Sequence, residues 1–313
     1  MLLRFVRETS TFLVVVLLVI IPAGCTSSSI VSTGNVKTLK VALVVSHSQF
    51  CDIDANINHF EQFIKRASQQ GARLICFPEM ALTSCVMDPA MFDCAEKIPG
   101  PSTDRLAQLA GDYNLYISMG TTEKDDTGKC YITQFLCGPN GYIGKYRKHH
   151  QAPGGASLGL AEGDSFPVFD IDGFTLGFNI CFDGRSWDTI ELMKKAGVDI
   201  IHHPHGNLLD LGADAEEWTR GKLYYLPARA IYSRSYILVN NSAGDTISPI
   251  GTSSFCGGAV IIDPLGQAIV RTTQKDRSEM MVFATLIKPV SALIPQGEVK
   301  MNLRYPSSHH PWP

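Results

Sequence analysis

Apolar and polar positions switch between two periods along residues 39–290, and the switches lay out the chain. Leu39 to Val45 is a short apolar run that fits a buried strand. From Asn56 to Gln70 the apolar positions Ile57, Phe60, Phe63 and Ile64 recur at helical spacing, with Gly71 as a C-cap. Arg73 to Phe77 is the next strand, ended by Pro78 and Glu79, which makes a βαβ unit. Ser102 to Tyr113 is a second helix feeding a strand from Leu115 to Thr121. A charged turn, Glu123 to Lys129, then opens a hairpin of Tyr131–Cys137 and Tyr142–Tyr146, and residues 158–163 are glycine-rich and irregular. Phe166 to Ile180 reads as two strands joined at Asp172-Gly173, a pair that favours a tight turn. The second strand ends on Cys181; Asp183, Gly184 and Arg185 follow, and a helix runs from Trp187 to Ala196. Val198 to His203 is a strand and Glu216 to Tyr232 one long helix. Ser235–Ser242 and Gly258–Asp263 are strands, with Pro264 to Gly266 a turn. A last strand spans Glu279–Leu286. No fixed-period repeat and no interior linker interrupts this order, so the pattern predicts one α/β domain with enough strands for two sheets.

Composition narrows the function. An apolar content of 45% in 313 residues fills a sizeable core. A net charge of −3, with Arg147, Lys148, His149 and His150 as the only basic cluster, excludes a nucleic-acid binder. The first residues stand apart. Arg4 and Arg7 precede the apolar run Phe12 to Ile21, and Pro22-Ala23-Gly24-Cys25 follows. A basic start, a short apolar stretch and small residues before a cut site predict a signal peptide over 1–25. The run is short of the ~20 residues that span a bilayer. Cys25 after Ala23-Gly24 resembles the lipobox of bacterial lipoprotein precursors, although Pro22 stands where leucine is usual. That resemblance implies lipidation of Cys25 and a protein exported to the cell envelope and held at a membrane. Residues 26–38 are Ser/Thr-rich and read as a tether, and residues 291–313 as an irregular tail.

Nine cysteines include no CxxC or Cys/His ligand spacing, which predicts neither zinc nor an iron–sulfur cluster. An exported compartment permits disulfides, with Cys85–Cys94 the most local pairing, though spacing leaves connectivity open. Cys181 at a strand end, before a helix, meets backbone N–H dipoles that favour a thiolate. By itself it is equally a buried packing cysteine.

Glu79 and Lys148 also follow strand ends, and each alone reads as readily as a helix-start or solvated turn charge. Together with Cys181 they resemble the nitrilase superfamily of carbon–nitrogen hydrolases. Its three signatures stand here as Cys76-Phe77-Pro78-Glu79, Tyr146-Arg147-Lys148-His149-His150 and Ile180-Cys181-Phe182-Asp183-Gly184-Arg185. Flanking similarity extends through 196–201, 228–230, 240–241, 257–258 and 263–266, so the resemblance covers about 39–288. It implies a carbon–nitrogen hydrolase domain over 39–290, folded as a four-layer α-β-β-α sandwich of two mixed sheets. It implies Cys181 as nucleophile, Glu79 as general base, and Lys148 with the Phe182 N–H as oxyanion donors. It also implies no cofactor or metal, and a homodimer or higher oligomer. The residue types fit the chemistry, because an amide carbon needs a thiolate, a carboxylate to move its proton, and fixed positive groups for the oxyanion. Phe182-Asp183 resembles the amidase and carbamoylase branches more than true nitrilases, which implies a small amide or N-carbamoyl substrate.

One departure stands out. Many members carry a second glutamate soon after the lysine, but residues 151–161 contain no acid. Glu162 is the nearest candidate for the pocket, although Glu162-Gly163-Asp164 reads more simply as a turn. His203 and His205 share a face if their strand continues and are expected to line the pocket. Asp183 and Arg185 are expected to fix the loop after the nucleophile, and Trp218 and Arg229 to pack. The missing carboxylate leaves two alternatives: a membrane-tethered binding protein without turnover, or an acyltransferase of the same fold.

Overall fold

Residues 36–209, 214–273, 275 and 277–288 are described by the computed structural model. The expected leader with Cys25, residues 26–35 of the tether and the tail from 289 lie outside them. The first half of the domain gives β1 (Thr38–Val45), α1 (Ile53–Gln69), β2 (Leu74–Cys76), α2 (Pro101–Asp112), β3 (Tyr116–Lys124), β4 (Cys130–Gly138), β5 (Gly141–Arg147) and the short α3 (Pro153–Ser157). Next come β6 (Val168–Ile171), β7 (Phe174–Phe178), α4 (Trp187–Lys195), β8 (Ile200–His205), α5 (Ala215–Lys222), α6 (Leu226–Ser233) and β9 (Tyr236–Asn241). The chain closes with β10 (Ala243–Ser248), β11 (Gly251–Cys256), β12 (Ala259–Ile262), β13 (Ala268–Arg271) and β14 (Met280–Ile287).

Two six-stranded sheets share one plan, β14-β1-β2-β3-β4-β5 and β6-β7-β8-β9-β12-β13, and β10 and β11 form a separate two-stranded sheet. In each six-stranded sheet three central strands run parallel, with one antiparallel strand on one side and an antiparallel pair on the other. Alternation along the strands explains the layers. Val41, Leu43 and Val45 of β1 face the core between the sheets, whereas Ala42 and Val44 face the one under α1 and α2. On the other side Ile200 and Leu238 point between the sheets, and Ile201, Ile237 and Val239 meet α4, α5 and α6. Helix α1 buries Ile57, Phe60, Phe63, Ile64 and Ala67, one amphipathic stripe. The expected four-layer α-β-β-α sandwich is the observed architecture.

Asp172 and Gly173 turn β6 into β7 with φ of 49° and 75°, as that pair favours. Four expectations are corrected. The helix expected over 216–232 is two, α5 and α6, because Pro227 opens α6 and has no N–H to bond to the turn before it. The turn expected at 123–129 starts later, since β3 runs on through Glu123. The strand expected to end at His203 continues to His205. Finally, Cys94 bonds Cys51 with a Cα separation of 5.4 Å, while Cys85 is a free, buried thiol turned inward. Among the described residues no helix is long and apolar enough to cross a membrane.

Candidate active site

The C-terminal ends of β2, β5, β7 and β8 deliver the polar residues of one site, where open parallel sheets place their ligands. Pro78 stops β2, and Glu79 follows it into the interior. Lys148 comes one residue after β5, whose pleat sends Tyr146 and Lys148 one way and Lys145 and Arg147 the other, onto Glu123. Lys148 Nζ donates to Glu79 Oε1 at 2.6 Å, and both side chains are only 2% exposed. The second carboxylate oxygen, Oε2, accepts the Gly206 N–H at 3.0 Å. Burial disfavours the Lys148 charge, but Glu79 and Cys181 outweigh it and hold its pKa above the usual lysine value.

Cys181 opens the 3-10 turn 181–185 with φ of 47°, a left-handed conformation that costs a non-glycine residue energy. Asp183 fixes this turn. Its carboxylate accepts the Ile180 N–H at 2.9 Å, the His150 N–H at 2.7 Å and the Tyr146 hydroxyl at 2.8 Å. It thereby ties the turn that begins at Cys181 to the segment after Lys148. Gly184 is required there, since a Cβ would lie 2.5 Å from the His203 ring. Burial first, then the Glu79 charge, pushes the Cys181 thiol up to about 11, against the lowering pull of Lys148 and Lys222. The dipole pull expected at this strand end is thus outweighed by burial and by the Glu79 carboxylate.

Two cavities meet at Cys181. The smaller, about 140 Å³, is bounded by Glu79, Lys148, Cys85, Gln151 and Gly206. The larger, about 540 Å³, opens past Arg185, His205, Asn207, Trp218, Lys222 and Tyr225. Among the described residues no acidic side chain other than Glu79 borders the smaller one, and Glu162 is exposed and borders neither. Gln151 stands where a second carboxylate was sought, its Nε2 donating to the Ala161 carbonyl at 3.1 Å.

The histidine expectation divides. His205 borders the larger cavity, but His203 does not; it is wholly buried beneath Gly184 and hydrogen-bonded to the Asn179 carbonyl. Their rings stack edge to face at 4.4 Å, so they do share a face. Trp218 was expected to pack, yet it borders the cavity, whereas Arg229 packs between Trp187 and Tyr225 and donates to the Arg185 carbonyl. Two residues escaped the sequence reading. Asn207 Nδ2 donates to Cys181 Sγ at 3.6 Å, and its orientation is set because Oδ1 accepts from Trp218 Nε1 at 2.9 Å and Lys222 Nζ at 3.1 Å. Lys222 is brought there by the break between α5 and α6, which no sequence signal except Pro227 announces.

Fold and family together define a hydrolase of carbon–nitrogen bonds. The carbon-nitrogen hydrolase family matches residues 40–289, and the chain belongs to it, within the nitrilase superfamily. It is 30% identical over 242 residues to a nitrilase of Pyrococcus abyssi, covering 76% of this chain and 86% of that one. It is 30% identical over 232 residues to an omega-amidase of Xenopus tropicalis, covering 71% and 80%. Its fold is similar to that of an amidase from Nesterenkonia sp., with TM-score 0.68, 20% identity, and coverage of 82% and 94%.

Proposed function

We propose that this enzyme hydrolyses a small amide or N-carbamoyl compound through a thioester on Cys181. The observation that carries the reading is the buried Lys148–Glu79 pair bordering the same cavity as the Cys181 thiol. Glu79 takes the thiol proton as Sγ attacks the amide carbon. The oxyanion forms against Lys148 Nζ and the Phe182 N–H. Glu79 passes its proton to the departing nitrogen, and ammonia or an amine leaves. Water enters, Glu79 removes its proton, and the acid is released. Asn207 steadies the sulfur between the two half-reactions, and Gln151 borders the space that the amide group fills.

Among the described residues Arg185 and Lys222 border the larger cavity with Glu217 as its one acid, which supports a substrate whose far end carries a carboxylate. Relatives that are omega-amidases accord with a terminal amide. The test is ammonia release from a panel of amides, N-carbamoyl amines and nitriles, with neutral and carboxylate-bearing members. Cys181→Ala should abolish release, and Lys148→Ala should lower the rate on the order of a hundredfold or more while sparing the fold. Wild-type rates in Cys181→Ala would sink the reading. No release from any substrate would point to a binding protein, and amide product with an added amine acceptor to acyl transfer.

The leader supports an enzyme exported to the cell envelope and anchored through lipid on Cys25. A Cys25→Ser chain that stays with membranes as the wild type does would overturn this. Exposed Trp187, Ile231 and Tyr232 on α4 and α6 support a homo-oligomer, which sedimentation tests.

A further inference from the structure

Directly after Lys148 the chain presents His149 and His150 side by side, with Asp188 of α4 across from them. His150 Nε2 sits 3.1 Å from both carboxylate oxygens of Asp188. His149 packs edge to face on His150 with ring centroids 4.6 Å apart, and its Nδ1 donates to the Gly163 carbonyl at 2.7 Å. That bond fixes the ring and its tautomer, and leaves the Nε2 lone pair free, which is how a ligating histidine is commonly held from behind. One ligand atom from each of the three residues falls within 4.8 Å of the others, and all three side chains are half-buried. Glu162, exposed nearby, adds negative charge within electrostatic reach of His150.

We propose that His149, His150 and Asp188 form a binding site for one divalent transition-metal ion of the zinc type, separate from the cavities at Cys181. Bonds of ~2.0–2.1 Å in a tetrahedron set neighbouring ligand atoms ~3.3 Å apart, close to the observed His150–Asp188 spacing, and leave a fourth position for water. The ion takes the place of the proton shared by His150 Nε2 and Asp188, which passes to solvent. Two nitrogens and one carboxylate oxygen favour zinc, cobalt or nickel over magnesium or calcium. The site spans two segments that Asp183 already joins, the stretch following Lys148 and the start of α4 after the nucleophile turn. A bound ion would clamp them a second time.

The test is titration of the full chain with Zn2+ by calorimetry, and with Co2+ followed by its visible absorption, alongside His149→Ala and Asp188→Asn. The expected result is one ion per chain, a tetrahedral cobalt spectrum, and a rise in melting temperature with zinc. Each substitution should weaken binding at least roughly tenfold and remove the thermal shift. His149 is half-exposed, so its replacement leaves a folded chain for comparison even if Asp188→Asn disturbs α4. Absence of binding overturns the proposal. So does binding that survives both substitutions, as ions held by His309 and His310 of the tail would.

Discussion

Cys181 lies in a buried site beside the Glu79 carboxylate, and both features act on its thiol. The thiol is raised to about 11 by burial and by the carboxylate, so the proton stays on sulfur until an electrophile arrives. Alkylation by iodoacetamide in the absence of substrate should therefore be slow at pH 7 and keep accelerating up to about pH 11. A plateau already reached near pH 8 would mean the thiolate is stabilised at rest, as the strand-end position alone had implied. Gly206 controls the other side of Glu79. A Cβ there would lie 2.3 Å from Cys85 Sγ, so Gly206→Ala must move the N–H that holds Glu79 Oε2. We expect a rate loss on the order of a hundredfold from a displacement of about 1 Å, at a stability cost of about 1–3 kcal/mol. Unchanged kcat/KM in Gly206→Ala would show that this N–H does not position Glu79.

Lys148 directly follows strand β5, and its placement depends on a lock on the opposite face of that strand. Glu123, nearly inaccessible on β3, accepts from Lys145 Nζ at 2.5 Å, Arg147 Nε at 3.1 Å and Thr133 at 2.7 Å. Burial pushes the Glu123 carboxyl up, but bonds from Arg147, Lys145 and Thr133 outweigh it and lower the pKa. A depressed carboxyl contributes stability above its unfolded pKa and loses it as pH falls through the folded value. Glu123→Gln should cost about 2–3 kcal/mol in urea unfolding at pH 7, with less difference at pH 3. A cost under about 0.5 kcal/mol would show that the lock is idle. Glu123 also marks the edge of what sequence could reveal. Its run of charged neighbours looks like a solvated turn, and only the pairing of β3 with β4 and β5 makes it interior. The strand ends bearing Glu79, Lys148 and Cys181 were legible because each sits in a contiguous motif. Asn207 and Lys222 were not, since their approach to sulfur depends on the α5–α6 break and on β8 running to His205. The β10–β11 hairpin escaped because its strands are mostly Ser, Thr and Gly, with too few apolar positions to show a period of two.

Across the whole molecule the two sheets are joined by a polar seam as well as by apolar packing. His202 of β8 bonds Ser118 of β3 at 2.8 Å through Nδ1 and Asn240 of β9 at 3.0 Å through Nε2. Asn240 in turn donates to the Val44 and Cys76 carbonyls of the first sheet at 2.7 and 3.0 Å. His203 and His205 lie beyond it on the same strand but on its helix-facing side, beneath Gly184 and against Trp218, so β8 carries three fully buried imidazoles. Burial lowers His202 to about 4 and His203 to about 3, and drives His205 well below the ordinary value. All three are neutral in the folded chain and take up protons once unfolded, near pH 6.5. The unfolded state then binds more protons, so stability falls as pH drops below about 6.5, by ~1.4 kcal/mol per pH unit for each histidine. Three together give ~4 kcal/mol per unit until pH approaches the folded values. His150 has a raised pKa through its bond to Asp188, so its contribution changes only above the unfolded value and leaves this window to the buried three. Urea unfolding at pH 7, 6 and 5 should show a steep loss of stability, and His202→Asn should shrink the slope by about a third. Equal stability at pH 7 and pH 5 would mean that the three imidazoles take up protons in the folded state. Strand β8 would then have to hold charge on both of its faces.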